Sequence, residues 1–322
     1  MNKKIQLLIS VMLFVGILVS GCAKAATPVP TATPAPTSTP APTIQPGDSK
    51  RTLAVDDLQR SYFLHVPPGL AADKPLPLVM AFAGGHVEVE DEGPFMDMTT
   101  GFNKLADAHG FLVVYPVAQG DYTAILSGLF SWNYNSCCGY DGQNGIDEEA
   151  YVRGILSDLG AIARIDSKRI YAAGFSNGGD FVFQLGCEMS DMFAAIAPVA
   201  GFLVTNPCQP KQPVSVVQVH GLNDNYAGDT ATMMMNGALA DVVEQPVEQG
   251  IATWAQLDGC NGAGQVEKQG VVTHTVYSSC QAGTAVELYA IEGWSHSWPS
   301  PDAFPAFSTQ MIWDFFAAHP KP

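Results

Sequence analysis

The chain is short of positive charge: its 322 residues include 15 Lys and Arg against 31 Asp and Glu. The resulting formal net charge of −16 argues against nucleic acid as a partner, because phosphates would be repelled. Charge of either sign is scarce at 14%, while 47% of residues are hydrophobic, so a sizeable core can form. Neither C-x-x-C nor His-x-x-x-His spacing occurs, and with them go the usual ligand patterns of a zinc site. No metal and no cofactor is therefore expected. The apolar run from Ile5 to Val19 is 15 residues long, short of the ~20 that a spanning helix needs. Apart from one stretch near the start there is no low-complexity segment and no long-period repeat, which excludes solenoids and arrays.

What is present begins with a basic pair, Lys3 and Lys4, then the apolar run, then small residues before Cys22. Residues 1–21 read as an export signal. The ending "LVSGC" resembles a bacterial lipobox, in which Cys22 becomes the lipidated first residue of the mature chain. Residues 22–51 are rich in Ala, Thr and Pro, a composition that favours extended polyproline II over a packed core. They read as a stalk holding the folded domain, residues 52–322, away from a membrane. The expected location is exported, either as a cell-surface lipoprotein or extracellular, with the membrane touched only through the lipid. With Cys22 assigned to the lipid, six cysteines remain, and in an exported chain they point to disulfides. Six thiols leave 15 pairings open. Cys260 and Cys280 flank a polar, Gly-rich insertion that a bridge would close, and Cys187 and Cys208 bracket one helix–strand unit. Cys137 and Cys138 are adjacent and form either a vicinal pair or bridges elsewhere.

Short, nearly continuous apolar runs recur along the domain: "LPLVMAFAGG", "FLVVYPVAQ", "RIYAAGFS", "FAAIAPVAG" and "VSVVQVHG". Such runs suit strands of a parallel sheet covered on both faces. "VELYAIEGWSH" reads as a further strand ending in a loop, and the better alternation of "RSYFLHVPP" suits an antiparallel edge. Helical stretches lie between them. "MDMTTGFNKLADAHG" stops at Gly110. "IDEEAYVRGILSDLGAIAR" opens with Asp147, Glu148 and Glu149 at a positive helix start and then carries one apolar face. "AFSTQMIWDFFAAH" is the last helix. Strands alternating with helices predict an α/β fold, a doubly wound and mostly parallel sheet with helices on both faces. Ligands of such sheets bind beyond the carboxyl ends of the strands.

Three runs end there in "FAGGH", "GFSNGG" and "VHGLNDN". The middle one satisfies G-x-S-x-G between a strand and a helix, the setting of a nucleophile elbow, which makes Ser176 the candidate nucleophile. Such a fold needs an acid and then a histidine further along the chain. Asp224, just past a strand end, is the candidate acid, with Asp229 a competitor. Of the histidines that follow, His274 lies in the cysteine-bounded insertion and His319 near the end. His296, after a strand and between aromatic residues, is the candidate base. Asn177 follows the nucleophile and offers one backbone donor for an oxyanion hole. The second is expected from the "AGGH" loop, at Gly85, with Gly84 or His86 as alternatives.

"WNYNSCCGYDGQNGIDEEAYV", "IYAAGFSNGGDFVFQLGCEMSDMFAAIAPVAG", "VHGLNDN" and "EGWSHSWP" together resemble the polyhydroxybutyrate depolymerase/feruloyl esterase group of α/β-hydrolases, over roughly residues 60–318. The resemblance implies Ser176, Asp224 and His296 as a catalytic triad, and bridges near Cys187–Cys208 and Cys260–Cys280. It implies a secreted serine esterase that acts through an acyl-enzyme. Its substrate would be a hydroxycinnamoyl or acetyl ester of a polysaccharide, or a polyhydroxyalkanoate oligomer. Two residues depart from that group's usual pattern: Ala83 stands where a histidine is common, and Asp180 where an apolar residue is. The long segment from Val117 to Gly145 is rich in aromatic residues, and a loop of that length in a compact domain is usually functional. Trp132, Trp298 and Tyr226 are accordingly expected to line the acyl or leaving-group pocket. Two rival readings use the same scaffold, a tethered binding lipoprotein and a serine peptidase or acyltransferase.

Overall fold

The computed structural model describes residues 44–70, 74–85, 92–120, 130–134, 144–203, 207–224, 246–299 and 309–322. The expected signal peptide, Cys22, Cys137, Cys138, His86, Tyr226 and Asp229 lie outside them, as does most of the expected stalk.

Among the described residues, ten strands form one sheet. In chain order they are β1 (Gly47–Val55), β2 (Leu58–Val66), β3 (Leu76–Phe82), β4 (Leu112–Pro116), β5 (Ile165–Phe175), β6 (Ala195–Val199), β7 (Ser215–Gly221), β8 (Gln265–Gln269), β9 (Val272–Tyr277) and β10 (Val286–Ile291). Their spatial order is β1-β2-β4-β3-β5-β6-β7-β10-β9-β8. The central strands from β4 to β10 run parallel, and antiparallel strands flank them on both sides. The helices are α1 (Glu92–Thr100), α2 (Phe102–His109), α3 (Glu148–Ile162), α4 (Asn177–Glu188), α5 (Val247–Leu257) and α6 (Thr309–Ala318).

The continuous apolar strands are buried on both faces, as their sequence predicts. Along β3, Leu78, Met80 and Phe82 enter the core beneath α3, α4 and α5. The alternate residues Val79, Ala81 and Ala83 enter the core beneath α2 and α6. This period of two divides one strand between two layers. Helix α3 begins where its acidic start predicts: Asp147 is its N-cap and accepts a hydrogen bond from Ala150 N. Glu148 is not simply a first-turn acid, since it is buried and ion-paired with Arg60 at 3.0 Å.

Three local expectations differ from the fold. The strand run at 60–68 is antiparallel but is not the edge, because β1 pairs along its free side. β1 itself starts at Gly47, inside the stretch read as stalk. Its signal was concealed by polar composition: an edge strand exposed on most of its length has no apolar face to display. The helix expected to end at Gly110 is two helices, broken at Gly101, whose φ of 69° is left-handed. The cysteine-bounded insertion is a hairpin, β8–β9, that widens the sheet beyond β10. Cys260–Cys280 clips its base and Cys187–Cys208 ties the end of α4 to the segment before β7, so both expected bridges are present. No helix among the described residues is long and apolar enough to cross a membrane.

Candidate active site

The chain runs from β3 outward to β4 and returns to β5 on the other side, so the sheet's order reverses beside β5. That reversal opens a crevice at the carboxyl end of the strands. Ser176 stands there, between β5 and α4, with φ 55° and ψ −124°. This conformation is costly for a residue with a Cβ, and neighbouring bonds maintain it. Its N–H donates to Val199 O at 2.9 Å, and its carbonyl accepts from Gly179 N at 2.7 Å. The two glycines of the motif are required by close approach. A Cβ on Gly174 would lie 2.1 Å from Gly178 O, and one on Gly178 would lie 2.4 Å from Ala83 O.

The Ser176 hydroxyl lies 2.8 Å from His296 Nε2, and His296 Nδ1 lies 2.8 Å from Asp224 Oδ2. The Asp224 side chain is fully buried, whereas His296 keeps 16% of its side chain exposed. A buried acid holds one imidazole nitrogen while the other faces the serine at the solvent side. The competing histidines are engaged elsewhere: His274 Nε2 meets Glu287 at 2.9 Å, and His319 Nδ1 meets Phe315 O at 2.7 Å. Sequence order alone had left His274 and His319 in play; among these three, tertiary structure brings His296 to Ser176.

Residues that the sequence did not single out hold this chain in register. Asn223 N donates to Trp294 O at 2.9 Å, and Asn223 Oδ1 accepts from Gly293 N at 2.8 Å. The loop carrying Asp224 is thus stitched to the loop carrying His296. Phe175 lies against the His296 ring, with centroids 4.9 Å apart. His220 is buried with its Nε2 3.7 Å from Asp224 Oδ2. Burial pushes its pKa below the ordinary histidine value, against the pull of the Asp224 charge. A neutral His220 leaves that charge directed at His296. The only sequence signal for Asn223 is its adjacency to the acid in "GLND"; for Phe175 and His220 it is adjacency to the nucleophile and to a strand end.

Two segments meet at the candidate oxyanion region. Asn177 is the first residue of α4, where an N–H has no intrahelical acceptor and the helix dipole is positive. From the other side, Gly84 packs against the nucleophile, so that a Cβ added to it would lie 3.1 Å from Ser176 Cβ. Gly85 follows at the exposed lip. Ala83, the departure from the group's usual pattern, is buried. Asp180 does not face the nucleophile as a loose charge: it is buried and accepts from Phe202 N at 2.6 Å.

The expectation for the aromatic pocket needs correcting. Trp132 is fully buried, its indole N–H donating to Ala83 O at 2.8 Å. Trp298 is 6% exposed, donates to Thr309 Oγ1 at 3.0 Å and packs edge-on to Phe102. Both indoles are core residues rather than pocket walls, because each N–H finds an interior acceptor that makes burial tolerable.

A doubly wound sheet with a strained serine elbow at its reversal point defines an α/β-hydrolase. Solved structures agree: an acetyl xylan esterase from Aspergillus awamori superposes with TM-score 0.55 over 84% of this chain and 99% of its own, at 15% identity. Residues 60–258 match the family described as Esterase PHB depolymerase, and the chain belongs to it. Among curated relatives, feruloyl esterase B of Piromyces equi is 31% identical over 196 residues, covering 58% of this chain and 33% of that protein. Poly(3-hydroxyalkanoate) depolymerase C of Paucimonas lemoignei is 25% identical over 254 residues, covering 74% of this chain and 58% of that protein. The chain therefore spans between a third and somewhat over half of the length of these relatives.

Proposed function

We propose that this protein is a serine carboxylic-ester hydrolase that works through an acyl-enzyme. The observation that carries the reading is the unbroken chain Ser176–His296–Asp224, with 2.8 Å at each link, set on a strained elbow at a helix N-terminus. In it, His296 Nε2 takes the proton of Ser176 as Oγ attacks the ester carbonyl. The buried Asp224 holds Nδ1–H and stabilises the imidazolium that forms. Negative charge developing on the carbonyl oxygen meets the Asn177 N–H and the Gly84–Gly85 backbone; each such donor typically contributes ~10²–10³ in rate. The imidazolium then protonates the leaving alcohol. Water, deprotonated by His296, cleaves the acyl-enzyme and restores Ser176.

The substrate is a hydroxycinnamoyl or acetyl ester of a polysaccharide, or a polyhydroxyalkanoate oligomer. Its relatives' names include both feruloyl esterase and poly(3-hydroxyalkanoate) depolymerase, which supports these classes. We also place the protein outside the cytoplasm, tethered by a lipid on Cys22. Two disulfides in the folded domain favour an oxidising compartment.

The test uses the domain without its leader, with Ser176→Ala as control. Methyl ferulate, acetylated xylan and 3-hydroxybutyrate oligomers are supplied separately, and the released acids are measured by chromatography. One acid released by the wild type and not by the variant is the expected result, and its identity selects the substrate class. Equal release by both proteins, or none together with no labelling of Ser176 by a fluorophosphonate, would overturn the reading.

A further inference from the structure

We propose that Trp132 is a positioning residue for the oxyanion-binding backbone, a role that rests on the esterase reading above. Trp132 lies between β4 and α3, in a part of the chain that contributes no group to the triad. Its ring is wedged between the two elements that carry the oxyanion donors. It meets Phe82 of β3 edge-on at 5.1 Å and stacks on Phe181 of α4 at 5.4 Å.

Its polar groups bind both elements as well. The indole N–H donates to Ala83 O at 2.8 Å, the carbonyl that directly precedes Gly84. The backbone N–H donates to Asn177 Oδ1 at 2.7 Å, and the backbone carbonyl accepts from Asn177 Nδ2 at 3.3 Å. A peptide unit is planar, so anchoring the Ala83 carbonyl sets the direction in which the chain leaves into Gly84 and Gly85. Holding the Asn177 carboxamide at both ends likewise fixes the residue whose N–H forms the other half. One buried residue, its indole bonded to Ala83 and its backbone to Asn177, thus sets the spacing of two donors that come from distant parts of the sequence. Oxyanion donors act through preorganisation, and a displacement of ~1 Å costs ~10²-fold in rate.

Trp254 supplies the contrast. It is also fully buried and donates its indole N–H to a backbone carbonyl, Val214 O, at 2.9 Å. Its partners are β7, the start of which it caps from α5, and Phe183, and none of them is an oxyanion donor.

The experiment compares Trp132→Phe with Trp254→Phe, each losing one buried indole donor and keeping an aromatic ring. Thermal midpoint, kcat and KM on the cleaved ester, and the Ki of the corresponding trifluoromethyl ketone are measured per folded molecule. Both variants should melt lower. Trp132→Phe alone should lose ~10-fold or more in kcat with KM changed less than about threefold, and its Ki should rise in step with the loss in kcat/KM. The shape of its pH–rate profile should stay that of the wild type, since His296 and Asp224 are untouched. Equal kcat in the two variants, or an unchanged Ki in Trp132→Phe, would overturn the proposal. Should Trp132→Phe fail to fold, Asn177→Ala serves in its place: it keeps the N–H but loses the grip of Trp132, and a wild-type kcat there would overturn the proposal equally. Failure of the esterase reading would appear in the wild type and Ser176→Ala, and failure of the brace only in these variants.

Discussion

Ser176 keeps its strained backbone because the residues around it leave no room to relax. Gly178 faces β3: a Cβ there would lie 2.4 Å from Ala83 O and 2.5 Å from Phe82 O, both backbone atoms that cannot swing away. Gly178→Ala should therefore push α4 from β3, separating the halves of the proposed oxyanion site. The expected outcome is a loss of ~10²-fold or more in kcat, together with a lower thermal midpoint, read by ester assay and calorimetry. At this scale the sequence was informative where a local rule demanded a residue type. Glycines at 174 and 178 and a serine between strand and helix announce an elbow, since only small residues permit it. The same rule was silent on Trp132 and Trp298. An aromatic residue in an irregular segment reads the same whether its indole N–H meets solvent, substrate or a buried carbonyl.

Among the elements, the loops that carry Asp224 and His296 illustrate how a sheet positions side chains. β7 and β10 are parallel neighbours, and their ladder continues past the strand ends through Leu222 N to Ile291 O and Asn223 N to Trp294 O, each at 2.9 Å. The Asn223 carboxamide adds a bond to Gly293 N at the turn, three residues before His296. Asn223→Ala should leave this turn with one bond fewer, costing about 1 kcal/mol in stability. The larger effect is expected in catalysis: kcat down ~10-fold at unchanged KM, because the His296–Asp224 geometry loosens while the substrate-binding surface stays. Steady-state kinetics and a denaturant melt separate the two effects. Helix α3 is held by a different device. Arg60 of β2 pairs with Glu148 at the helix start and lies over the Tyr151 ring at 3.9 Å, so the helix N-terminus is locked to the sheet.

The molecule as a whole carries a pH dependence of stability in the same region. Glu92, at the start of α1, is buried, and desolvation raises its pKa to about 8, against a backbone hydrogen bond from Ala118 and the Arg60 charge. A carboxyl group so raised keeps its proton in the folded state over a range where the unfolded chain releases it. Its stabilising contribution is full below the ordinary Glu range near 4.5 and is lost as pH rises towards about 8. The change across that window is on the order of a few kcal/mol. Glu92→Gln, which cannot ionise, should melt like the wild type near pH 4.5 and several degrees higher at pH 8. Parallel melting curves of the two proteins across this window would contradict that assignment.

Several features of this protein follow from the sequence alone. Buried parallel strands follow from near-continuous apolar runs, the candidate nucleophile from G-x-S-x-G at a strand–helix junction, and the proposed order acid-then-histidine from the way such a sheet is wound. These are local or topological rules, readable without knowing what packs against what. Tertiary structure alone decided which histidine meets Ser176, which glycine faces it, and that β1 and the β8–β9 hairpin extend the sheet. It also decided that Trp132 and Trp298 belong to the core, with Trp132 between β3 and α4. Each of these depends on contacts between residues far apart in the chain. The 120 positions separating Ser176 from His296 leave no trace in either local sequence, and only the folded sheet brings them to 2.8 Å.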